Sequence, residues 1–414
     1  MSHTRLFYYI TLLFAFCIPV HDRLALLFAV LMLVNWIFTG NYRARFRSMI
    51  QNRKQLPVLL FSSLFLVYMA GLFWTENMKY GMTDLELKIP LFLFPFIFAS
   101  SRSLVFRGKR VVNVFLAYMT GCFFSTMIFI FNAFSKFIQS NSYDEFYYAK
   151  LAIYQHTTYM SMFLNLALAM ALFLLIFRRN MLSRLLLIFV TWLIPYYFIL
   201  VILLSSKAGI FCMVLVFAVS ILAMLLYGKN KLHAVIAFAT VCAAFAMAQG
   251  IFPNSFGRMK SVTQNISNRP KPGSDAMESS AERLLIWDAA RTIIKQNLLI
   301  GVGTGDVKDA LFAQYNLNNF KSGSSLKLNA HNQYLQTFIA LGLPGIVLLL
   351  AGFLWPFWLS VKKSYLIYAA FILIVSFNLL FESMLERQAG MMFYTFFNAF
   401  LFTIKEELRV YRSS

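Results

Sequence analysis

Apolar stretches of about 17 to 25 residues return along nearly the whole chain, each long enough to cross the roughly 30 Å hydrocarbon core of a bilayer as a helix. They fall at roughly 6–20, 24–39, 56–74, 87–100, 111–137, 157–177, 184–204, 208–227, 232–251, 333–357, 364–381 and 389–405. With 60% of the 414 residues hydrophobic and 13% charged, the composition lies far from that of a soluble globular domain. The expected fold is an all-α polytopic membrane protein with about 12 transmembrane helices. The first run follows a single Arg5 and lacks a small-residue cleavage site, so it reads as a retained span. Pro90 and Pro95 in "KIPLFLFPF" mark the fourth as either kinked or partly re-entrant.

The net charge of +21 raises the question of nucleic acid, but the basic residues are scattered over short inter-helix loops and form no single patch. Membrane topology accounts for them. With the N-terminus in the cytoplasm, the cytoplasmic loops receive "NYRARFRSMIQNRKQ", "SRSLVFRGKR", "RRNMLSR", "GKNK" and "KK", together with the tail. The opposite side receives Asp22, Glu76, Asp84, Glu86, Asp144, Glu145, Glu382 and Glu386. Cys17, Cys122, Cys212 and Cys242 stand alone in apolar segments, without the spacing of a metal or redox site.

Three parts follow: spans one to nine over 1–251, an extracytoplasmic loop over 252–332, and spans ten to twelve with a cytoplasmic tail over 333–414. The long loop opens with "PNSFGRMKSVTQNISNRPKPGSD", whose Ser, Asn, Pro and Gly content predicts a mobile stretch. Order is expected to return in "SSAERLLIWDAARTIIKQN", where Ser279 and Ser280 are candidate N-caps and Leu284, Ile286, Trp287, Ala290 and Ile293 recur at helical spacing. A glycine-rich turn, "GVGTGD", and a second amphipathic stretch follow, so the loop is expected to fold over the membrane mouth as a lid.

Polar residues at the outer face are the candidates for chemistry, because a charge at membrane depth is costly and faces a protein-lined or watery cavity. Lys207, in the polar break "SSK", either snorkels toward head groups or holds an anionic ligand. Arg283 is expected in the first turn of its helix. It either pairs with Glu282 or grips phosphate oxygens beside the positive end of the helix dipole, with Arg291 assisting. His331 is either a capping residue or a base, and Asn332 and Gln333 would orient it or bind a polar acceptor. Glu382, Glu386, Arg387 and Gln388 form a second cluster, read either as a structural ion pair with Arg387 or as support for the histidine and the cations. His156 and Tyr159 in "YQHTTY" read as interfacial aromatic residues. No DxD-type acid pair marks an outer loop; Asp306 and Asp309 come nearest and read as acids at a helix N-terminus.

The combination of "SSKAGI", "ERLLIWDAARTIIKQNLLIGVGTGD" and "HNQYLQTFIALGLPGIVLLL" resembles the O-antigen ligase and polymerase superfamily over about residues 200 to 350. The resemblance implies a membrane-embedded, GT-C-like glycosyltransferase of the bacterial inner membrane, working at the periplasmic face without cofactor or metal. It implies an undecaprenyl-diphosphate-linked glycan as donor and, for a ligase, a lipid A core oligosaccharide as acceptor. Arg283 corresponds to the arginine that holds the lipid diphosphate and His331 to the proposed base. Lys207 stands where the family commonly has arginine, which keeps the charge but loses the planar two-pronged donor. A polymerase extending the carrier-linked glycan shares this donor chemistry, as would an oligosaccharyltransferase acting on protein. A transporter or flippase would be expected to show paired broken helices in two similar halves.

Overall fold

The computed structural model describes residues 3–51, 58, 60–100, 105–228, 230–253, 255–257 and 279–411. Among them there are helices and turns but no strand. This is how a chain rich in long apolar runs satisfies its backbone polar groups internally. The helices are α1 (His3–Cys17), α2 (Asp22–Phe38), α3 (Tyr42–Gln51), α4 (Leu60–Ala70), α5 (Met78–Lys88) and α6 (Pro90–Ser100). Then come α7 (Lys109–Ser140), α8 (Tyr148–Leu151), α9 (Thr157–Phe177), α10 (Arg184–Leu203), α11 (Lys207–Tyr227) and α12 (Lys231–Ile251). The rest of the chain forms α13 (Ser279–Gln296), α14 (Val307–Leu317), α15 (Lys321–Ser325), α16 (Gln333–Lys363), α17 (Leu366–Asn378) and α18 (Gln388–Thr403). The side chains of Ser279 and Ser280 lie outside the description, as does most of the irregular stretch after Phe252.

Six helices, α7, α9, α10, α11, α12 and α16, are long and apolar enough to cross a membrane by length and composition; the shorter runs Leu60–Trp74 and Leu366–Asn378 are apolar as well. The chain is a multi-pass membrane protein. Its centre is aromatic: Phe14, Phe94, Phe98, Phe396, Phe397 and Phe400 are buried and meet edge-on or tilted, which joins α1, α6 and α18. Small residues let helices approach closely. A methyl group on Gly209 of α11 would stand 2.4 Å from Cβ of Ser161 on α9.

Contacts gather the helix ends into two groups. At one end Arg178 donates to the carbonyls of Glu407 and Arg409, and Tyr227 meets Ser364 at 2.8 Å. At the other end Gln155 donates to Asp22 at 2.6 Å, Ser205 meets Ser255 at 2.8 Å, and Gln333 N–H donates to the Leu379 carbonyl at 2.8 Å. This second end carries α13 to α15.

α16 is broken. Gly342 has φ 60° and ψ −150°, which interrupts the helical ladder, and the freed groups find partners in the turn after α13. Val302 and Gly303 N–H donate to the carbonyls of Ile339 and Ala340 at 2.8 and 3.0 Å, and Leu343 N–H donates to the Leu298 carbonyl at 3.0 Å. The "GVGTG" and "LGLPG" segments thus interlock through their backbones. Asp306 fastens the other side of the same turn: its carboxylate accepts from the N–H groups of Glu76 and Asn77 at 2.8 and 2.7 Å. It occupies the N-cap position of α14 without a side-chain cap bond, and Asp309 lies in the first turn, so both acids stand at the helix N-terminus as the sequence suggested, and Asp306 staples two segments as well.

Candidate functional site

The residues before α16 form a tight polar turn. His331 has φ +42°, a conformation disfavoured for an L-residue with a Cβ, and its N–H donates to Asn329 Oδ1 at 3.0 Å. Asn332 Oδ1 accepts from Leu335 N–H at 3.1 Å and so caps α16, while Gln336 reaches back to the N–H of Ala330. The cap and the return bond fix where the imidazole leaves the chain. Gln333 is fully buried, donating to Thr337 and Glu386 and accepting from Leu385 N–H at 2.8 Å. These bonds give Asn332 and Gln333 a positioning part.

The bonds made by Gln333, with Asn332 N–H donating to Ser383 at 3.3 Å, fasten the segment after α17 against the histidine turn. Glu382 lies in that segment and is the centre of the constellation. Its Oε1 accepts from Arg283 Nη2 at 2.9 Å, and its Oε2 lies 3.3 Å from His331 Nδ1. Arg283 therefore pairs with Glu382 across 99 positions of sequence and not with adjacent Glu282. It is the fifth residue of α13, just past the first turn in which the sequence suggested it. The side chains of Arg283 and His331 remain 20% and 28% exposed, against 9% for Glu382.

Burial alone would raise the Glu382 carboxyl; the His331 hydrogen bond and the Arg283 charge outweigh it and hold the group below the usual carboxylate range. Glu382 is thus an anion, and it favours the tautomer in which His331 Nδ1–H donates to it, leaving Nε2 as the acceptor. Glu282, partly buried nearby, is pushed up by desolvation. His156, the N-cap residue of α9, is pushed down first by burial and then by Arg283, His331 and Arg387, with Glu382 opposing. That mutual influence brings the "YQHTTY" loop into the same neighbourhood. One turn beyond Arg283, the buried indole Nε1 of Trp287 has no hydrogen-bond partner among the described residues.

Lys207 is the first residue of α11 and half-buried, behind Ser206, whose hydroxyl accepts from Gly209 N–H. Asn378, at the end of α17, donates to Cys212 at 3.1 Å, so the first turns of α11 lie at the end of the bundle where Glu382 follows. Arg291 and Arg387 are exposed. The expected pairing of Arg387 with Glu382 or Glu386 is replaced: Glu382 takes Arg283 and His331, and Glu386 takes Lys88.

Sequence reasoning missed Lys88. It is fully buried, 2.6 Å from Asp84 and 3.1 Å from Glu386, with its ammonium 4.5 Å from the centre of the Tyr68 ring. Burial pushes Asp84 up to about 7, Glu386 adding to the push and Lys88 opposing it, while Lys88 and its hydrogen bonds hold Glu386 low. The only signal was a charged residue followed at once by an apolar run. Among the described residues no group of three or more His, Cys, Asp or Glu could hold a metal ion.

Residues 192–350 match the family described as O-Antigen ligase. Over this segment the chain is similar to the O-antigen ligase superfamily. The match spans Lys207, Arg283 and His331; Glu382 and Lys88 lie outside it. Comparison with curated proteins finds no match. The match supports an enzyme of the O-antigen ligase or polymerase kind.

Proposed function

We propose that the protein is an inverting, metal-independent O-antigen ligase-type glycosyltransferase with twelve crossings of the bacterial inner membrane, its site facing the periplasm. It moves a glycan from undecaprenyl diphosphate to a lipid A core oligosaccharide. One observation carries this reading: the half-exposed His331 with Nδ1 held by an anionic Glu382, itself paired to Arg283. His331 Nε2 takes the proton of the acceptor hydroxyl as that oxygen attacks the anomeric carbon from the face opposite the diphosphate. The carbon–oxygen bond to the diphosphate breaks, and the departing anion is neutralised by cations. Arg283 uses one Nη2 for Glu382, and a guanidinium has five donors, so others remain for phosphate oxygens. Lys207 adds a point charge at the start of α11, where the helix dipole is also positive. Arg291, Arg387 and the indole of Trp287 are further donors for the donor lipid or its sugars.

The topology rests on the grouping of helix ends, with the basic tail and loops at one end and the lid at the other. The decisive experiment is transfer in detergent from purified carrier-linked glycan to purified lipid A core, with no energy source. The expected product is glycan on the acceptor, lost on His331→Ala by a factor on the order of 10²–10⁴. A lengthened carrier-linked glycan would mean a polymerase instead, and full transfer by both Arg283→Ala and Arg283→Lys would move the diphosphate site elsewhere.

A further inference from the structure

We propose that the turn Leu298–Ile300 is a membrane-docking wedge, its side chains seated among lipid acyl chains of the leaflet next to the site, so that the base of α13 is held at the membrane surface. Beyond the break at Gly342, α16 exposes Leu343, Val347, Leu350, Leu354, Trp358 and Val361. These recur at helical spacing on one stripe, and eighteen rises of 1.5 Å give roughly 27 Å, the thickness of the hydrocarbon layer. The stripe is therefore the lipid-facing side of the helix, and Leu343 is its outer end.

The Leu298 carbonyl is hydrogen-bonded to Leu343 N–H, which sets the wedge at that level. Leu298, Leu299 and Ile300 are 46, 69 and 55% exposed, a run of three large apolar residues with Lys295 and Gln296 exposed just before it. Three consecutive exposed aliphatic side chains continue the stripe upward, and lipid is the occupant that covers both.

The attachment is rigid. A methyl on Gly301 would lie 2.5 Å from the Ala340 carbonyl, and one on Gly342 would lie 2.5 Å from that of Leu299, so each glycine admits the peptide just before the other. The wedge cannot shift without disturbing the break in α16. Arg283 thus stands on a helix whose far end is fixed to the bilayer plane.

The test uses the full chain in nanodiscs of palmitoyl-oleoyl phosphatidylglycerol, with exposed Cys242 changed to Ser and a nitroxide on Leu299→Cys. Lys321→Cys, exposed on α15, is the aqueous reference. Collision with oxygen, enriched in lipid, is expected to exceed collision with a water-soluble nickel chelate several-fold at 299 relative to 321. Nickel accessibility equal to that of the reference would overturn the proposal, as would protection from both agents, which would mean a protein partner or second copy on the turn. Glycan transfer is not measured, so the outcome is independent of the reaction proposed above.

Discussion

Glu382 and Glu386 stand one helical turn apart in sequence, yet they belong to two different kinds of charge cluster. Around Glu382 the cations, Arg283 and His331, keep 20% and 28% of their side chains exposed; around Glu386 the cation, Lys88, keeps none. The cation of the sealed cluster is wholly enclosed, and its ion pairs fasten α5 to the segment before α18. The open cluster holds its groups by one carboxylate and leaves donor and acceptor atoms facing outward. The comparison teaches that burial, and not charge content, separates a fastening from a site.

The largest effect should come from breaking the sealed cluster. Lys88→Met removes the cation paired with Asp84 and Glu386 and leaves the carboxylates buried together, at a cost of about 3–5 kcal/mol. Thermal aggregation in detergent should show a lower midpoint. The triple change with Asp84→Asn and Glu386→Gln should recover most of it, because neutral partners no longer need the ammonium. A Lys88→Met protein as stable as the parent would reduce the triad to incidental contacts.

Breaking the open cluster should instead damage the reaction and spare the fold. Glu382→Gln keeps the size of the side chain but weakens its hold on Arg283 and no longer favours the Nδ1–H tautomer of His331. We expect transfer to fall on the order of 10²-fold while the melting midpoint moves less than in Lys88→Met. Equal loss of stability in the two variants would erase the distinction between the clusters.

How much of this contrast was legible beforehand varies with the range of the interaction. The apolar runs foretold helices at nearly every position, because hydropathy is local and the bilayer length selects for it. Arg283 and His331 stood out through their neighbours in sequence. Their shared partner did not: Glu382 is 99 and 51 positions away, and nothing in "FESMLERQAG" distinguishes Glu382 from Glu386. The adjacent Arg387 was the obvious partner and the wrong one, since it lies exposed while its neighbours turn inward. Lys88 in "LELKIP" looked like an ordinary span boundary. The break in α16 was half-visible, as "LGLPG" carries glycines and a proline, but its partner turn lies about 40 positions earlier.

A smaller effect should appear on acidification. The folded-state pKa of His156 lies below its ordinary value near 6.5, so between the two the unfolded chain binds more protons and stability rises with pH. Its contribution is fully present above about 6.5 and is lost as pH falls through the folded value. Glu382, also held low, adds a second loss below its ordinary 4.5. Melting midpoints from pH 8 to 5 should fall, and His156→Asn should flatten the decline while preserving the cap, since Asn can accept from Thr158 N–H as His156 Nδ1 does. A slope unchanged by that substitution would assign the titration to another group.

The smallest effect concerns Arg387, and it sharpens the comparison because this residue follows the sealed cluster in sequence while its charge acts on the open one. It is exposed at the end of the Met384–Glu386 turn, so Arg387→Ala should change stability at neutral pH by no more than about 0.5 kcal/mol. Its positive charge is one of the influences that keep His156 low. Removing it should let the His156 pKa rise toward 6.5, which narrows the interval over which acid destabilises the fold. The acid limb of the melting curve should therefore become shallower in Arg387→Ala, and in high salt the parent should approach the variant, because screening weakens an exposed charge first. If the limb steepens instead, Arg387 acts on the sealed side, and the boundary between the two clusters lies elsewhere than between Glu382 and Glu386.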